Sequence, residues 1–412
     1  MSSQKRTKIA IIGAGPAGTT LSMGLSKEKI DHVLIDRSTF PRDKICGDAL
    51  SGKVVYALNR VKPDVVNQIA SNTKDYLPSW GISFIAPNRK RLDIPFTTDK
   101  NHVKQAPGFI ATREDFDHLM VQNTPSEFCE QRFGTKVNQT EIKIDGVHIT
   151  LDDGSVIDAD AVVDCSGTRS DLAKDYGIEL EHNHYCAGLR RYYEGVEGLS
   201  EEGYIELHFI NDVLPGYFWI FPMTNNRVNV GLGMLSASVS KNKINLKKEL
   251  DRIVSEHPEI SKRFKNAKPL ETVKGWGLPL GSKKRKLSFN RLLFCGDAAS
   301  IIDPFTGEGI GNAMISAKYA ADVLSKAVKE NDFSEALLKE YDEQVYHHLW
   351  PELNMSHQLQ KMVKYPWLFN FVANKGLKSN EFKTLLTSMF ENVDLRKKFK
   401  DPRFYLRLLF NK

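Results

Sequence analysis

A glycine turn near the start of the chain constrains the fold more than any other feature of the sequence. It reads GAGPAG, fits the pattern G-x-G-x-x-G, and its glycines are Gly13, Gly15 and Gly18. The turn follows a β-branched run, Lys8–Ile12, and opens an apolar-periodic stretch that predicts a helix over Pro16–Lys27. In such a unit the first glycine permits the turn, the second lets the backbone approach a pyrophosphate, and the third lets the helix pack closely. A plain tight turn is the alternative, but the strand before it and the helix after it favour a dinucleotide-binding βαβ unit.

An acidic residue follows the turn at the distance that this unit requires. A second short strand, His32–Ile35, ends at Asp36. A carboxylate in this position binds ribose hydroxyls and disfavours a 2′-phosphate. The site is therefore expected to hold an adenosine such as that of FAD or NAD.

A second nucleotide-type element lies much further along the chain. The predicted strand Arg291–Cys295 runs into Gly296-Asp297-Ala298-Ala299, and a glycine-rich segment then opens a helix predicted from Gly309 to about Val328. An aspartate at a strand end can bind a ribityl hydroxyl. A helix N-terminus beside it suits the negative charge of a reduced flavin. NAD would need no second element of this kind, so the pair favours FAD.

Composition sets broad limits on function. The 412 residues are 41% hydrophobic and 26% charged, with a formal net charge of +6, which is typical of a globular protein of two or three domains. No block is basic enough to indicate nucleic-acid binding. The N-terminus has no hydrophobic signal core, and no apolar run is long enough to span a membrane. We expect a cytoplasmic protein that contacts a membrane at most from outside.

The cysteines and histidines do not indicate a metal site. The five cysteines are scattered, without a CxxC pair, which suits a reducing compartment. His182, His184 and Cys186 alternate and could in principle be ligands, but no fourth ligand is evident. We interpret them as polar residues at a strand edge and expect no metal.

The order of elements predicts an α/β fold: a Rossmann-like FAD-binding domain with an inserted antiparallel β-sheet substrate domain and a C-terminal helical segment. The FAD-binding domain is expected to comprise residues 1–77, 112–182 and 275–330, the substrate domain residues 78–111 and 183–274, and the helical region residues 331–412.

Other segments carry weaker structural signals. We predict strands within Trp80–Phe96 and Tyr185–Met234, a hairpin of Lys143–Ile149 with Gly154–Ile157, a buried strand Ala161–Cys165, helices at Ser51–Val61, Thr112–Val121 (with Thr112 as N-cap) and Ile244–His257, and a helical C-terminus broken at Pro351, Pro366 and Pro402.

Three further motifs resemble those of the geranylgeranyl reductase family, within the flavoprotein group that includes para-hydroxybenzoate hydroxylase. The segment FPRDKICGD (residues 40–48) resembles the family's cysteine-glycine loop beside the flavin. REDFD (113–117) resembles its R-x-x-F-D helix start. PGYFWIFP (215–222), followed by Gly231-Leu232-Gly233, resembles its Y-x-W-x-F-P…G-x-G signature, the most discriminating of the three. The resemblance covers most of the chain.

This resemblance, together with the glycine turn and Asp297, implies a set of site residues. Cys46 is the candidate catalytic residue, which would tune the flavin or shape the cavity. The candidate FAD contacts are Gly13, Gly15, Ala17, Gly18, Asp36, Arg37, Cys46, Gly47, Ala49, Arg113, Val137, Asp297, Gly309 and Ile310.

The aromatic residues Tyr217, Trp219 and Phe221 are the candidate cavity wall. They alternate on one strand and so share one face. Such a face is more often core, but in the family it lines the substrate cavity. An aromatic wall suits a long apolar prenyl chain, which is held by shape and burial.

One position departs from the wider hydroxylase-like group. Where that group has an Asp-Gly pair after the strand Ala161–Cys165, this chain has Ser166-Gly167, and Asp164 lies two residues early. Because the missing aspartate is associated with NADPH handling, the electron donor stays open between NAD(P)H and reduced ferredoxin, and a donor protein is a possible partner.

The resemblance implies reduction of carbon–carbon double bonds in a prenyl (geranylgeranyl-type) or similar lipid, with hydride from reduced flavin and a proton from a nearby donor or water. The alternative is an FAD monooxygenase or halogenase-like enzyme acting on an aromatic or apolar substrate, because fold alone does not separate them. A third is a flavoprotein that only relays electrons.

The C-terminal stretch, residues 361–412, mixes aromatics with a basic cluster at residues 396–398. It predicts either a helical cap over the substrate domain, which we favour, or a surface that contacts an anionic membrane.

Overall fold

The computed structural model describes residues 6–97, 99–100, 103–125, 127–367, 369–371 and 374. Its strands are β1 Arg6–Ile12, β2 His32–Asp36, β3 Ala49–Leu50, β4 Leu77–Ser79, β5 Gly81–Ile85, β6 Arg91–Pro95, β7 Gly108–Ile110, β8 Cys129–Phe133, β9 Val137–Ile142, β10 Val147–Leu151, β11 Val156–Asp164, β12 Tyr185–Glu194, β13 Ile205–His208, β14 Tyr217–Pro222, β15 Arg227–Leu235, β16 Lys268–Pro269, β17 Lys274–Pro279, β18 Ser288–Phe289 and β19 Leu292–Phe294. Its α-helices are α1 Pro16–Lys27, α2 Gly52–Val61, α3 Pro63–Ser71, α4 Arg113–Gln122, α5 Asp171–Asp175, α6 Ser236–Asn242, α7 Leu246–Glu256, α8 Ile260–Arg263, α9 Ile310–Glu330 and α10 Glu335–Met362.

The first sheet carries the nucleotide-binding unit. Its strands follow the order β18-β19-β11-β1-β2-β8, and the run from β19 to β8 is parallel. The central strand β1 holds Ile9, Ala10 and Ile11 without solvent exposure, as expected for a parallel strand covered on both faces. Helices α1 and α9 pack on each other, and the contact is close because a Cβ at Gly24 would lie 2.7 Å from the Cβ of Ala321.

The second sheet forms the wall opposite the nucleotide-binding unit. It has the order β16-β12-β15-β14-β13-β5-β6, with β17 also paired to β12, and β5–β13 is its parallel pair. A short third sheet, β3-β7-β4, lies in the connection between the two. The predicted fold class, a Rossmann-like unit with an inserted, largely antiparallel sheet and a helical C-terminal segment, is confirmed. The predicted domain boundaries stay a prediction.

Several local predictions need correction. Residues 143–146 form a turn between β9 and β10, closed by a hydrogen bond from Lys143 N to Gly146 O (2.8 Å), so the strand predicted over Lys143–Ile149 starts later. The second arm of that hairpin and the predicted strand Ala161–Cys165 are one strand, β11. His182 and His184 lie in a 3₁₀ turn before β12 rather than on a strand.

The C-terminal region also differs from its prediction. Pro351 lies inside α10 and does not end it. Beyond α10, the ring of Phe369 packs against that of Phe209, with centroids 4.6 Å apart, so the described part of this segment contacts the loop that follows β13 of the second sheet. Pro402 and the basic residues 396–398 lie outside the described residues. Within the described part of the chain, no helix has the length and apolarity needed to cross a membrane.

Candidate functional site

One cavity of about 320 Å³ lies between the first and second sheets and gathers most of the predicted site residues. Those that line it are Gly13, Gly15, Ala17, Asp36, Cys46, Gly47, Ala49, Arg113, Tyr217, Trp219, Phe221, Asp297, Gly309 and Ile310. Three predicted contacts are absent from its described lining: Gly18 lies behind the turn, Arg37 is exposed, and Val137 packs against the core at the start of β9. The contacts of these residues with a cofactor stay predictions.

The glycine turn is built as its spacing requires. Gly13 has φ +102°, and a Cβ there would lie 2.4 Å from the carbonyl oxygen of Cys165. At Gly18 a Cβ would lie 1.8 Å from the carbonyl oxygen of Gly13, so only glycine lets α1 approach the turn. Asp36 accepts the backbone N–H of Ala14 at 2.8 Å and thereby fixes the turn to the end of β2.

Two arginines face the start of α1. A Cβ at Gly15 would lie 3.8 Å from Nη2 of Arg42 and 4.0 Å from Nη2 of Arg113, with no closer atom. Both guanidiniums bind the buried carboxylate of Asp117, at 3.0 Å and 2.8 Å. Two cations and one anion leave one positive charge beside an N-terminus that has no side-chain cap. This combination fits a pyrophosphate. Sequence reasoning gave Arg42 no role.

The second nucleotide-type element lies on the same cavity. Asp297 stands in a 3₁₀ turn after β19, where its Oδ2 accepts from Thr168 Oγ1 (3.3 Å) and lies 3.8 Å from Lys44 Nζ. Helix α9 begins after Gly309, and in its first turn the backbone N–H of Gly311 donates to Oε1 of Glu308 at 2.7 Å. Burial, together with the charge of Arg113, lowers the pKa of Lys44. These groups fit the ribityl and pyrimidine portions of a flavin, so together with the glycine turn they fit FAD.

The cysteine-glycine loop connects this region to the second sheet. Cys46 is half-buried and its thiol contacts Arg113. Burial alone would lower the pKa of Arg113, but Asp117 and Cys46 outweigh burial and raise it. At Gly47 a Cβ would lie 3.1 Å from Cε2 of Phe221, so the loop packs directly on strand β14.

Part of the cavity lining is uncharged and rich in aromatic rings, and we call it the aromatic arm. It is lined by Ser79, Ile82, Phe96, Pro107, Phe109, Ile205, Leu207, Tyr217, Trp219 and Phe221. None of these ten residues is charged, and Ser79 donates its hydroxyl to Gly203 O at 2.7 Å. Tyr217 donates to the carbonyl oxygen of Thr306 (2.5 Å), which connects the arm to the loop before α9.

The G-x-G segment explains how the aromatic arm is shaped. In the ladder of β14 with β15, Trp219 pairs with Gly231 and Tyr217 pairs with Gly233. A Cβ at Gly231 would lie 2.1 Å from Cζ2 of Trp219, so the indole ring lies over that glycine. Trp219 Nε1 donates to Oδ1 of the buried Asn229 at 2.8 Å. Asn229 was missed from the sequence, although it lies two residues before Gly231 and so faces the same side of the strand.

Comparison with known proteins supports the binding of FAD. The family model for the FAD binding domain matches residues 6–353. The digeranylgeranylglycerophospholipid reductase of Methanocaldococcus jannaschii is 29% identical over 367 residues, which are 86% of this chain and 87% of that protein. The enzyme of the same name from Thermoplasma volcanium is 27% identical over 345 residues, 82% of each chain. The resemblance to geranylgeranyl reductases is confirmed.

Solved structures show the same fold. A geranylgeranyl bacteriochlorophyll reductase-like protein from Thermoplasma acidophilum has a TM-score of 0.81 at 20% identity and covers 96% of this chain and 99% of its own. A flavin-dependent brominase has a TM-score of 0.75 at 18% identity and covers 94% of both chains. At these identities the likeness concerns the fold alone.

Proposed function

Because the chain belongs to the FAD binding domain family, whose model covers residues 6–353, we propose that it is an FAD-dependent reductase of carbon–carbon double bonds. The proposed substrate is a prenyl, geranylgeranyl-type lipid or a similar polyunsaturated lipid. The names of the two relatives described above support this class. The carrying observation is that the uncharged aromatic arm lines the same cavity as the candidate flavin contacts Cys46 and Asp297.

One set of residues would hold the cofactor, and another would hold the lipid. Gly15, Arg42 and Arg113 would hold the pyrophosphate, Asp36 the ribose, and Asp297 with the start of α9 the flavin. Reduced flavin, when bound, supplies a hydride. The aromatic arm would bury an apolar chain and exclude water around the double bond. Because an apolar chain offers no charge to bind, orientation has to come from shape and burial.

The oxygen-using alternative rests on fold likeness to halogenases, whereas the reductase rests on sequence relatives that cover most of the chain. An enzyme that only relays electrons would not need an aromatic arm inside the cavity. We therefore keep the reductase as the conclusion and make oxygen use an outcome of the test.

The test is product analysis with oxygen excluded and with oxygen present. The protein is reduced chemically and given a geranylgeranyl-type lipid. We expect products that gain two hydrogen atoms for each double bond saturated, formed without oxygen. Strict oxygen dependence with the gain of one oxygen atom would overturn the proposal. A fully saturated lipid of the same length is the control, since it has no bond to reduce.

The electron donor belongs to the same proposal, and NAD(P)H and reduced ferredoxin both remain candidates. Ser166, which replaces the expected aspartate, is exposed on the cavity rim, while Asp164 is buried and accepts from Ser166 N (2.8 Å) and from Ser170. Asp164 thus holds its own loop and does not substitute for the missing residue. Anaerobic reduction of the bound flavin by NADH, NADPH or reduced ferredoxin, measured separately, would identify the donor.

Peripheral membrane contact is a further part of the proposal. Tyr365, Trp367 and Phe371 are exposed after α10, while Phe369 between them is packed on the second sheet. Exposed aromatic rings suit the interfacial region of a bilayer. Cosedimentation with anionic vesicles tests this contact. Replacing Tyr365 and Trp367 together by serine is expected to weaken it, and unchanged cosedimentation would overturn it.

A further inference from the structure

A buried carboxyl group next to the aromatic arm has no function in the account so far. Asp48 ends the cysteine-glycine loop, lines the cavity, and has no solvent exposure. Its Oδ2 accepts from the hydroxyl of Tyr192 at 2.5 Å and from Nδ2 of Asn229 at 2.8 Å. Its Oδ1 has no hydrogen-bond partner among the described residues. A buried carboxyl oxygen left without a partner is costly, so its retention needs a reason.

The position of Asp48 relative to the aromatic arm is fixed by Asn229. The Asn229 side chain accepts from Nε1 of Trp219 and donates both to Asp48 and to the carbonyl oxygen of Cys46, each at 2.8 Å. One amide thus connects the indole ring, the loop and the carboxyl group. A shift of any of the three would break a buried hydrogen bond, so the carboxyl group keeps a fixed position relative to the Trp219 ring.

The hydrogen bonds also decide which oxygen carries a proton. Both donors point at Oδ2, so a neutral carboxyl group has its proton on Oδ1, where no protein acceptor competes for it. Burial raises the pKa of Asp48 to about 6. The surrounding groups lower it in part: Tyr192 and Arg190 from β12, Asn229 from β15, and Arg113 from α4. Arg190 lies over the ring of Tyr192, 3.9 Å from its centroid, and is itself paired with Asp43.

We propose that Asp48 is the acid of the reaction and delivers the proton on Oδ1 to the second carbon of the double bond. This inference rests on the proposed function. Once one alkene carbon has accepted the hydride, the π-electron pair forms the second C–H bond with the Asp48 proton. Asp48 is left as a carboxylate, and because it has no contact with solvent in the structure, its proton is restored by water that enters the cavity as the product leaves. The reductant is the flavin, reduced in turn by a nicotinamide or ferredoxin donor.

A purely structural role is the competing explanation, because Asp48 also secures the loop through Tyr192 and Asn229. The two explanations differ in which variants lose the reaction. A structural role needs only an acceptor at Oδ2, which asparagine retains. An acid needs an ionisable proton at Oδ1, which asparagine lacks.

The first measurement uses the FAD-loaded protein without substrate. Infrared difference spectra are recorded while the pH is raised through about 6, where the Asp48 carboxyl group is expected to ionise. We expect a protonated-carboxyl band that disappears over this range, is absent in Asp48→Asn, and persists in Asp342→Asn. Asp342 is a suitable control because burial also raises its pKa and it lies in α10, outside the cavity lining. A band unchanged in Asp48→Asn would overturn the proposal.

The second measurement is the anaerobic single-turnover rate with an alkenyl lipid. For the unaltered protein we expect this rate to fall as the pH rises through about 6, because the acid form is lost. Asp48→Asn should lose about 100-fold or more of the rate, the usual range for a general acid, while Asp48→Glu restores part of it. Tyr192→Phe removes a donor to the carboxylate, so the falling limb should move to higher pH.

The outcomes separate the two proposals. If the unaltered protein does not react with any alkenyl lipid, the proposed function fails and Asp48 has no reaction to serve. If the unaltered protein reacts and Asp48→Asn reacts at the same rate with the same pH profile and with FAD still bound, the acid role is wrong and the function stands.

Discussion

Trp219 lies directly over Gly231, and its indole ring fills the space that a side chain at that position would occupy. A Cβ at Gly231 would lie 2.1 Å from Trp219 Cζ2 and 2.3 Å from the carbonyl oxygen of Leu189 on the neighbouring strand. At Gly233 a Cβ would meet only Cys186 Sγ at 3.6 Å and Trp219 Cζ3 at 3.8 Å, which are ordinary contacts. The first glycine of the G-x-G segment therefore shapes the aromatic arm, and the second is tolerant.

Gly231→Ala is expected to displace the Trp219 ring and to destabilise the protein by about 1–3 kcal/mol, the usual cost of overpacking. Alkene-dependent turnover should fall, while FAD stays bound because the nucleotide-binding unit is untouched. Gly233→Ala is the matched control and should retain both the stability and the turnover of the unaltered protein. Thermal unfolding, flavin content and turnover check this. Equal losses of stability and turnover in the two variants would contradict the role of Gly231 in shaping the aromatic arm.

Gly15→Ala tests the pyrophosphate site. The space at Gly15 is free of close protein atoms, and its φ of −77° is one that alanine adopts easily. We expect a folded protein of unchanged or slightly higher stability that binds FAD at least tenfold more weakly, because the methyl group would occupy space meant for phosphate. Gly18→Ala should instead disrupt folding, given the 1.8 Å approach to Gly13 O. Tight FAD binding by Gly15→Ala, measured by flavin fluorescence titration, would be inconsistent with this site.

The ionisation of Asp48 should also be visible in stability. Its pKa is raised from 3.8 to about 6, so the folded state holds this proton more tightly than the unfolded state does. The corresponding stabilisation is present below pH about 4 and is lost as the pH rises through about 6, with an upper limit of about 3 kcal/mol.

Asp48→Asn removes the buried charge, so its free energy of unfolding above pH about 6 should exceed that of the unaltered protein by about 1–3 kcal/mol. The two proteins should have similar free energies of unfolding in acid. Urea unfolding over this pH range is the measurement. A variant that is less stable at every pH would contradict this cost of the buried charge.

Lys53 is expected to stabilise the closure of α10 over the cavity. Its ammonium is almost fully buried and lies 2.6 Å from Asn312 Oδ1 and 2.8 Å from Glu352 Oε2, so it joins α2, α9 and α10. A double-mutant cycle of Lys53→Met with Glu352→Gln should give a coupling free energy of about 1–3 kcal/mol, because the charges are poorly screened there. If urea unfolding of the FAD-loaded protein shows that the two substitutions lower the free energy of unfolding additively, Lys53 and Glu352 do not stabilise the packing of α10 over the cavity.

Local rules were enough to predict the nucleotide-binding unit. Helix α1 has the predicted bounds, and Thr112 caps α4 by accepting from Asp115 N at 3.1 Å. The predictions of local structure were wrong where tertiary packing or turn chemistry determined the conformation. Asp145-Gly146 is a turn signal inside the segment predicted as a strand, and the structure forms the turn there. Pro351 stays helical because α10 packs along α9 and buries Leu349 and Leu353 on either side of it.

The candidate site could be predicted only where its residues belong to a recognisable sequence motif. Cys46, Gly47 and the aromatic triplet could be proposed from family motifs. Asp48 was visible in the same loop, but its importance depends on burial and on partners about 140 and 180 residues away, Tyr192 and Asn229. Hydrogen bonds between distant segments have no sequence period, and so they could not be predicted.

Anaerobic titration of the reduced, FAD-loaded protein with a geranylgeranyl-type lipid tests the central claim most directly. We expect the flavin to become oxidised in proportion to the double bonds supplied, with no oxygen present, while the saturated lipid of equal length leaves it reduced. A flavin that stays reduced with both lipids and is oxidised only when oxygen is admitted would contradict the reductase account.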